Sequence, residues 1–563
     1  MKAKRAKQEQ FLNPSENGWK SEAFGERAEQ QLKLLTKLLR KPAIIHPKKL
    51  DPVATENFSC PPLRPHRLTQ IFRDESLLVR RSTATAADVT HDGIVGLSQA
   101  LTELVKPLAT AQDIRSSLKI FRIHLTEGGA QTQARFELSG RVPSGHWQIN
   151  ATWDSQWSAE EAESPPRLVS IEVRDYEEVV AATSNGPLFA DCTEAVLGHN
   201  SSLRQQLVYG MDYWLKRIEM VHRIRVYARS GIAVGDVNGD GLADVYLCQT
   251  GGLPNRLFVQ NLDGTASDLS QSAGVDWLDA TNSALFVDLD NDGDQDLVAV
   301  IGARVLVMEN DSMGRFQLRV ALPTEDEDTQ SLSAVDHDND GDLDLFLCVD
   351  FADASPEPFV YHDANDGGGN TLFRNDISND ASGQWVFTDV TSETGLESGR
   401  HRHSLAAAWE DYDNDGDQDL YVANDYGANC LYRNDGGHFV DVADEAGVVD
   451  VGSGMSVSWG DYNRDGHMDL YVANMYSAAG NRISRQLQFN ADSKTRAVYQ
   501  RFAKGNTLFE NDGKGKFRDV GAQAAVEMGR WAWSSPFVDL NNDGWEDLLV
   551  ANGFHTTDDT GDL

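Results

Sequence analysis

Hydrophobic patterning changes character three times along the chain. Near the start, ERAEQQLKLLTKLLRK sets Leu32, Leu35, Leu38 and Leu39 on or near one side of a 3.6-residue period, which predicts an amphipathic helix. A basic amphipathic helix suits a membrane surface or an acidic partner, and docking on its own acidic chain is the plainer expectation. Residues 51–90 are punctuated by Pro52, Pro61, Pro62 and Pro65 and read as a linker or irregular cap. From 91 to 180, GLSQALTELVKPL and AQDIRSSL read as short helices. SLKIFRIHL, ARFELSG, HWQINATWD and RLVSIEVRDY alternate as antiparallel strands with one buried face do. Trp147, Trp153 and Trp157 could line a pocket there, and core packing is the better expectation.

The third pattern is a repeat. Short apolar runs such as DVYLC, DLFLCV, DLYVAN and DLLVAN each follow an acidic loop, and the loop recurs six times, starting at Asp236, Asp288, Asp336, Asp411, Asp461 and Asp539. The spacings are 52, 48, 75, 50 and 78 residues, so a unit of about 50 is lengthened twice, around 351–369 and 475–505. The chain thus divides into a basic helical and irregular segment (1–90), a small α+β domain (91–180), a connecting stretch (181–230) and a repeat region (231–563).

Each loop carries oxygen ligands at its first, third, fifth and ninth residues and Gly at the sixth. The sets are Asp236, Asn238, Asp240 and Asp244; Asp288, Asp290, Asp292 and Asp296; and Asp336, Asp338, Asp340 and Asp344. They continue with Asp411, Asp413, Asp415 and Asp419; Asp461, Asn463, Asp465 and Asp469; and Asp539, Asn541, Asp543 and Asp547. Hard oxygens alternating through a tight turn suit Ca²⁺, which takes 6 to 8 of them at about 2.3–2.6 Å. Zinc and copper would call for His or Cys, which do not recur at these positions. An EF-hand would need Glu at the twelfth residue and a helix after it. Here that position holds Leu247, Ala299, Leu347, Val422, Val472 and Val550, all in β-prone runs. The loops are therefore turns between strands, and about six structural Ca²⁺ ions are expected.

A second strand motif occurs at a regular distance after the loops: NRLFVQN at Asn255, NTLFRND at Asn370, NCLYRND at Asn429 and NTLFEND at Asn506. A Gly-containing turn and a further strand come next, as in GGHFVDVADEAGV. Four antiparallel strands per unit of about 50 residues define a propeller blade. The fold class expected is mainly β: a six- to seven-bladed β-propeller with calcium loops, preceded by a small α+β domain.

On these motifs, residues 231–563 resemble the FG-GAP or VCBS repeats of integrin-type propellers. The stretch 412–448, YDNDGDQDLYVANDYGANCLYRNDGGHFVDVADEAGV, is similar to the cartilage acidic protein and ASPIC/UnbV group. The α+β region is compatible with an NTF2-like cone of sheet and helix. An open propeller would leave strand edges unpaired. GPLFADCTEAVLG (186–198) resembles the last strand of a unit and is expected to close the final blade, with SLRQQLVYGMDYWLKRIEMVHR as a bridging helix. In such propellers the strand entering each loop is innermost, so its start faces the opposite mouth. The resemblance thereby groups Asn282, Gln330, Arg400, His401, His403, Arg530, Trp531 and Trp533 at that mouth, with Arg400, His401, His403, Arg530, Trp531 and Trp533 as candidate ligand-binding residues. Trp409 and Trp459, just before their loops, are expected to pack between blades.

Charge supports the cation reading. The 563 residues hold 87 Asp and Glu against 50 Lys and Arg, a formal −37, which argues against nucleic acid as a partner. The first 50 residues run the other way, with 12 basic against 5 acidic side chains. Five cysteines, with Cys248 and Cys348 in apolar runs, suggest buried thiols rather than a disulfide framework. No apolar run is long enough to span a membrane and no signal-peptide core follows Met1, whereas the resemblance implies an extracellular, envelope or periplasmic setting. No GxSxG, HExxH, Walker or CxxC motif is present. The function expected is a non-enzymatic adhesion or interaction module whose protein or polysaccharide ligand binds opposite the loops. The alternatives are a calcium-dependent polysaccharide lyase or hydrolase, and an intracellular scaffold tethered by the basic N-terminus.

Overall fold

The structure is a computed structural model that describes residues 19–82, 90–158, 164–182, 189–218, 231–325, 328–351, 364–377, 384–486, 489 and 491–553. It divides into two units. The first takes in residues 1–190 and 478–491, and the second 191–477 and 492–561.

The first unit is built on four long antiparallel strands, Gln112–Thr126, Gly129–Val142, Gly145–Ser158 and Arg167–Ala182, paired in chain order. Alternation along Gly145–Ser158 buries Ile149, Ala151, Trp153 and Trp157 on one side, as a half-covered strand requires. Trp153 stacks on Phe136 at 4.5 Å, and Trp157 meets Phe24 edge-on while its Nε1 donates to Thr132 Oγ1 at 2.8 Å. The tryptophans are core residues, as expected.

Three sequence expectations are corrected in this unit. The described residues 19–82 do not form a separate segment. Phe24, Ala28, Leu32, Leu35 and Leu39 of helix Lys20–Leu39 share one core with Leu97, Leu101 and Leu104 of helix Gly93–Val105 and with the sheet. The proline-rich stretch contributes strands as well: Ala54–Cys60 and Leu77–Arg81 both pair with Arg167–Ala182. The leucine stripe of this helix is thus buried within its own unit. AQDIRSSL is not helical either, because residues from Gln112 onward pair across to Gly129–Val142, and cross-strand burial outweighs local helix propensity.

The second unit contains five four-stranded antiparallel sheets in chain order, then two short pairs, Ala532–Ser534 with Ala551–Asn552 and Phe537–Val538 with Asp547–Leu548. The first strands are Ile232–Gly235, Thr281–Val287, Thr329–Val335, Ser404–Glu410 and Gly454–Gly460, and those of successive sheets lie side by side. The second strands, Asp244–Leu247, Asp296–Ile301, Asp344–Val349, Asp419–Asn424 and Asp469–Asn474, each begin at the ninth residue of a loop. The last three of these are buried at every position, which explains runs such as DLYVAN that are apolar without alternating. Trp409 and Trp459 reach into the preceding sheets, donating to Ser333 Oγ at 3.0 Å and Ala408 O at 3.4 Å.

The connecting stretch also departs from expectation. Residues 186–188 lie outside the described residues, and the described part of GPLFADCTEAVLG forms helix Thr193–Leu197 rather than a strand, with Phe189 exposed. Asn200 bonds the first sheet instead of the last, through Ala266 O at 2.7 Å and Asp268 N at 2.9 Å. The bridging helix is broken into a π-helical turn, Leu203–Leu207, and a short helix, Met211–Trp214, while its remainder from 219 onward lies outside the described residues.

Candidate metal centres

Backbone conformation sets the loop geometry. The sixth residue is a left-handed glycine in every copy: Gly241, Gly293, Gly341, Gly416, Gly466 and Gly544, with φ from 82° to 99°. The fourth residue is left-handed too, as Gly239, Asn291, Asn339, Asn414, Arg464 and Asn542. Asn tolerates that region, which accounts for its recurrence there; Arg464 has no such preference. The two reversals curl the first carboxylate over the amides that come after it. Asp411 accepts from Asp415 N at 3.0 Å and Gly416 N at 2.9 Å, and Asp461 and Asp539 do the same in their loops.

The ninth-position aspartates of the first five loops are buried and tie the loop to its sheet. Asp419 accepts from Tyr412 N at 3.3 Å and from Asn434 N on the third strand at 2.7 Å. Asp244, Asp296 and Asp344 repeat the pair of bonds, to Val237 and Gln260, Leu289 and Asn310, and His337 and Asn375.

Among the described residues, acidic oxygens converge within 4.8 Å as Asp288 with Asp290 and Asp296, Asp336 with Asp338 and Asp340, and Asp411 with Asp413 and Asp419. These are the three loops with four carboxylates. A further group, His337 with Asp338 and Asp344, lies within the third loop. In the first, fifth and sixth loops, Asn238, Asn463 and Asn541 replace the carboxylate at the third position. Asp292 and Asp415 fall outside the converging groups of their loops.

Burial and mutual repulsion raise the acids' pKa. Burial, aided by Asp290 and Asp294, pushes Asp296 up to about 7. The same causes push Asp419 to about 8 and Asp469 to about 7, and raise Asp290, Asp340 and Asp413. Three carboxylate oxygens, Asp288 Oδ1, Asp413 Oδ1 and Asp469 Oδ2, are buried without a hydrogen-bond partner. A buried, partnerless anionic oxygen is costly unless a cation faces it, so the donor set fits a hard metal ion.

Sequence reading missed the asparagine that ends the third strand of the second to fifth sheets. Asn310, Asn375, Asn434 and Asn511 donate through Nδ2 to a carbonyl of their own loop and to the second residue of the preceding loop. For Asn434 the acceptors are Gln418 O at 3.1 Å and His337 O at 2.8 Å. The recurrent Asn in FRN, YRN and FEN was the available signal.

At the opposite ends of the first strands, the predicted mouth is only partly open. His403 is fully buried, with Nδ1 2.9 Å from Asp350 Oδ1 and Nε2 3.5 Å from Asp366 Oδ1. Arg400 is 8% exposed and bonds Glu325 at 2.8 Å and Glu397 at 3.3 Å. These two are packing elements, unlike exposed His401 and half-buried Arg530, Trp531 and Trp533. Half-buried Asn282 bonds Thr329 O of the next sheet at 2.8 Å.

Comparison with known proteins agrees with the repeat geometry. Segments 236–299, 288–347, 411–472 and 489–550 match the FG-GAP-like repeat. Together they include all six acidic loops, so the chain carries FG-GAP-like repeats. No curated protein matches the chain. Among solved structures, an Agrocybe aegerita lectin described as recognising non-reducing terminal N-acetylglucosamine is 16% identical, with 57% of this chain and 74% of the lectin covered at a TM-score of 0.34. A Lactobacillus plantarum protein is 10% identical, with 72% of this chain and 94% of that one covered at a TM-score of 0.30. An NTF2-like protein of unknown function from Mesorhizobium loti is 12% identical, covering 27% of this chain and 92% of its own at a TM-score of 0.16. Scores this low carry no function across. No helix among the described residues is long and apolar enough to cross a membrane.

Proposed function

We propose that the repeat unit is a calcium-braced β-propeller of FG-GAP type, acting as a non-enzymatic binding module outside the cell or at its envelope. The observation that carries this reading is the set of partnerless buried oxygens on Asp288, Asp413 and Asp469. The residues holding Ca²⁺ would be the first, third, fifth and ninth of each loop, such as Asp411, Asp413, Asp415 and Asp419. The ion supplies positive charge and fixed coordination, with no part in a reaction. The ligand, a protein or polysaccharide, binds at the ends of the first strands remote from the loops, where His401, Arg530, Trp531 and Trp533 are placed.

Thermal unfolding across a calcium titration, with EGTA and magnesium as controls, tests this. A ligand that binds only the folded state at 100 times its Kd contributes about 2.7 kcal/mol per site, so several filled loops raise Tm by many degrees. Absence of a calcium-selective shift, together with metal analysis showing no bound calcium, refutes it. Calcium-dependent cleavage of an acidic polysaccharide would replace the binding module by an enzyme.

A further inference from the structure

The first unit contains a cavity of about 430 Å³ whose lining differs in charge from the rest of this acidic chain. Four guanidinium groups, Arg122, Arg174, Arg482 and Arg485, line it against two carboxylates, Asp154 and Glu172. Two of the four have partners: Arg174 pairs with Asp154, and Arg482 with Glu22 at 3.0 Å. Arg482 Nη1 also donates to Ile120 O at 2.6 Å, which fixes the segment Ala478–Ile483 against the edge of the long-strand sheet.

Arg122 and Arg485 have no anionic partner among the described residues. Burial, aided by the nearby charge of Arg122, lowers the pKa of Arg485. Like-charged guanidiniums side by side in one cavity are an unfavourable arrangement that one ligand chemistry resolves. An oxyanion takes two N–H donors from each guanidinium fork. The cavity lies within the range of small-molecule sites.

We infer that this cavity binds a small organic anion through a carboxylate or other oxyanion group, with Arg122 and Arg485 as the recognition residues. The site belongs to the first unit and does not depend on calcium or on the propeller reading.

Isothermal titration of the full chain with glucuronate, glucose and inorganic sulfate tests it. Saturable binding of glucuronate or sulfate is expected, weakening as sodium chloride rises, with glucose inert. Arg122→Gln and Arg485→Gln should each reduce affinity at least tenfold while leaving Tm unchanged or higher, because each removes like-charge repulsion. No saturable binding of either anion up to about 10 mM, a range covering the weak end of specific affinities, overturns the proposal. Anion binding that is the same in both arginine variants as in the unmodified protein overturns it too, since the anion would then sit elsewhere.

Discussion

Asn291, fourth in its acidic loop, donates through Nδ2 to Asp342 Oδ1, seventh in the next, at 2.9 Å. Asn339 repeats this contact one sheet further on, reaching Asp417 Oδ1 at 2.9 Å, and Arg464 lies over the Trp545 ring at 4.7 Å. In three places, then, the fourth residue of one loop touches the seventh of the loop after it. Ordering one loop therefore helps to order its neighbour, so if the loops hold cations as proposed, their filling is expected to be coupled.

Asn291→Gly removes that contact without strain, because glycine accepts the left-handed φ of 60°. A lost hydrogen bond to a buried carboxylate is expected to cost about 1.5–3 kcal/mol. Calcium titration by calorimetry should show a shallower isotherm. An isotherm as steep as that of the unmodified protein would mean that the loops fill independently.

Asn434→Ala strips the donor from two carbonyls, His337 O and Gln418 O, in adjacent loops. Asn434 is fully buried, so the loss should reach about 2–3 kcal/mol in urea denaturation with calcium present. A change below about 0.5 kcal/mol, the usual size for surface substitutions, would show that the asparagine does not lock the sheets.

In EGTA, stability should fall as pH rises. Asp296, Asp419 and Asp469 titrate near 7 to 8 in the folded state because burial and neighbouring aspartates disfavour their charge, while the unfolded chain releases those protons near pH 4. Between about 4 and 8 the folded state holds more protons, so the slope of unfolding free energy with pH is negative. Calcium competes with those protons and should reverse the trend. Tm measured at pH 5 and pH 8, with and without calcium, checks both signs.

His403→Phe tests the buried cluster at the far end of the strands. Burial alone would lower the histidine's pKa, but Asp350 and Asp366 outweigh it and hold the imidazole above its ordinary value. Its stabilising charge is complete below about pH 6.5 and is lost as pH rises through the raised pKa. Removing it leaves Asp350, Asp366 and nearby Asp425 facing one another, at a cost on the order of 3 kcal/mol at pH 6. A smaller loss at pH 6 than at pH 8 would contradict this account.

Much of the repeat region was legible because its determinants are local. Loop spacing, the sixth-position glycines and the apolar run after each loop depend on residues within a dozen positions, and the four-stranded sheets are built on them. Trp409 and Trp459 could be read as inter-sheet residues for the same reason: their distance from the loops is fixed.

Other features were set by contacts distant in sequence. The leucine stripe of Lys20–Leu39 specifies an apolar face and not its partner, which is supplied by strands and a helix far along the chain. AQDIRSSL carries a helical pattern and becomes strand because a neighbouring strand was available to pair with it. GPLFADCTEAVLG copied the wording of a final strand, yet its described part adopts helical geometry and leads to Asn200, whose bonds anchor it to the first sheet. His403 was visible as a histidine in a mouth sequence, whereas only tertiary packing placed Asp350 and Asp366 against its two nitrogens. The chain itself determines where an oxygen, a turn or an apolar face occurs; which of them end up buried together depends on long-range pairing, because burial and electrostatic coupling act through space and not along the sequence.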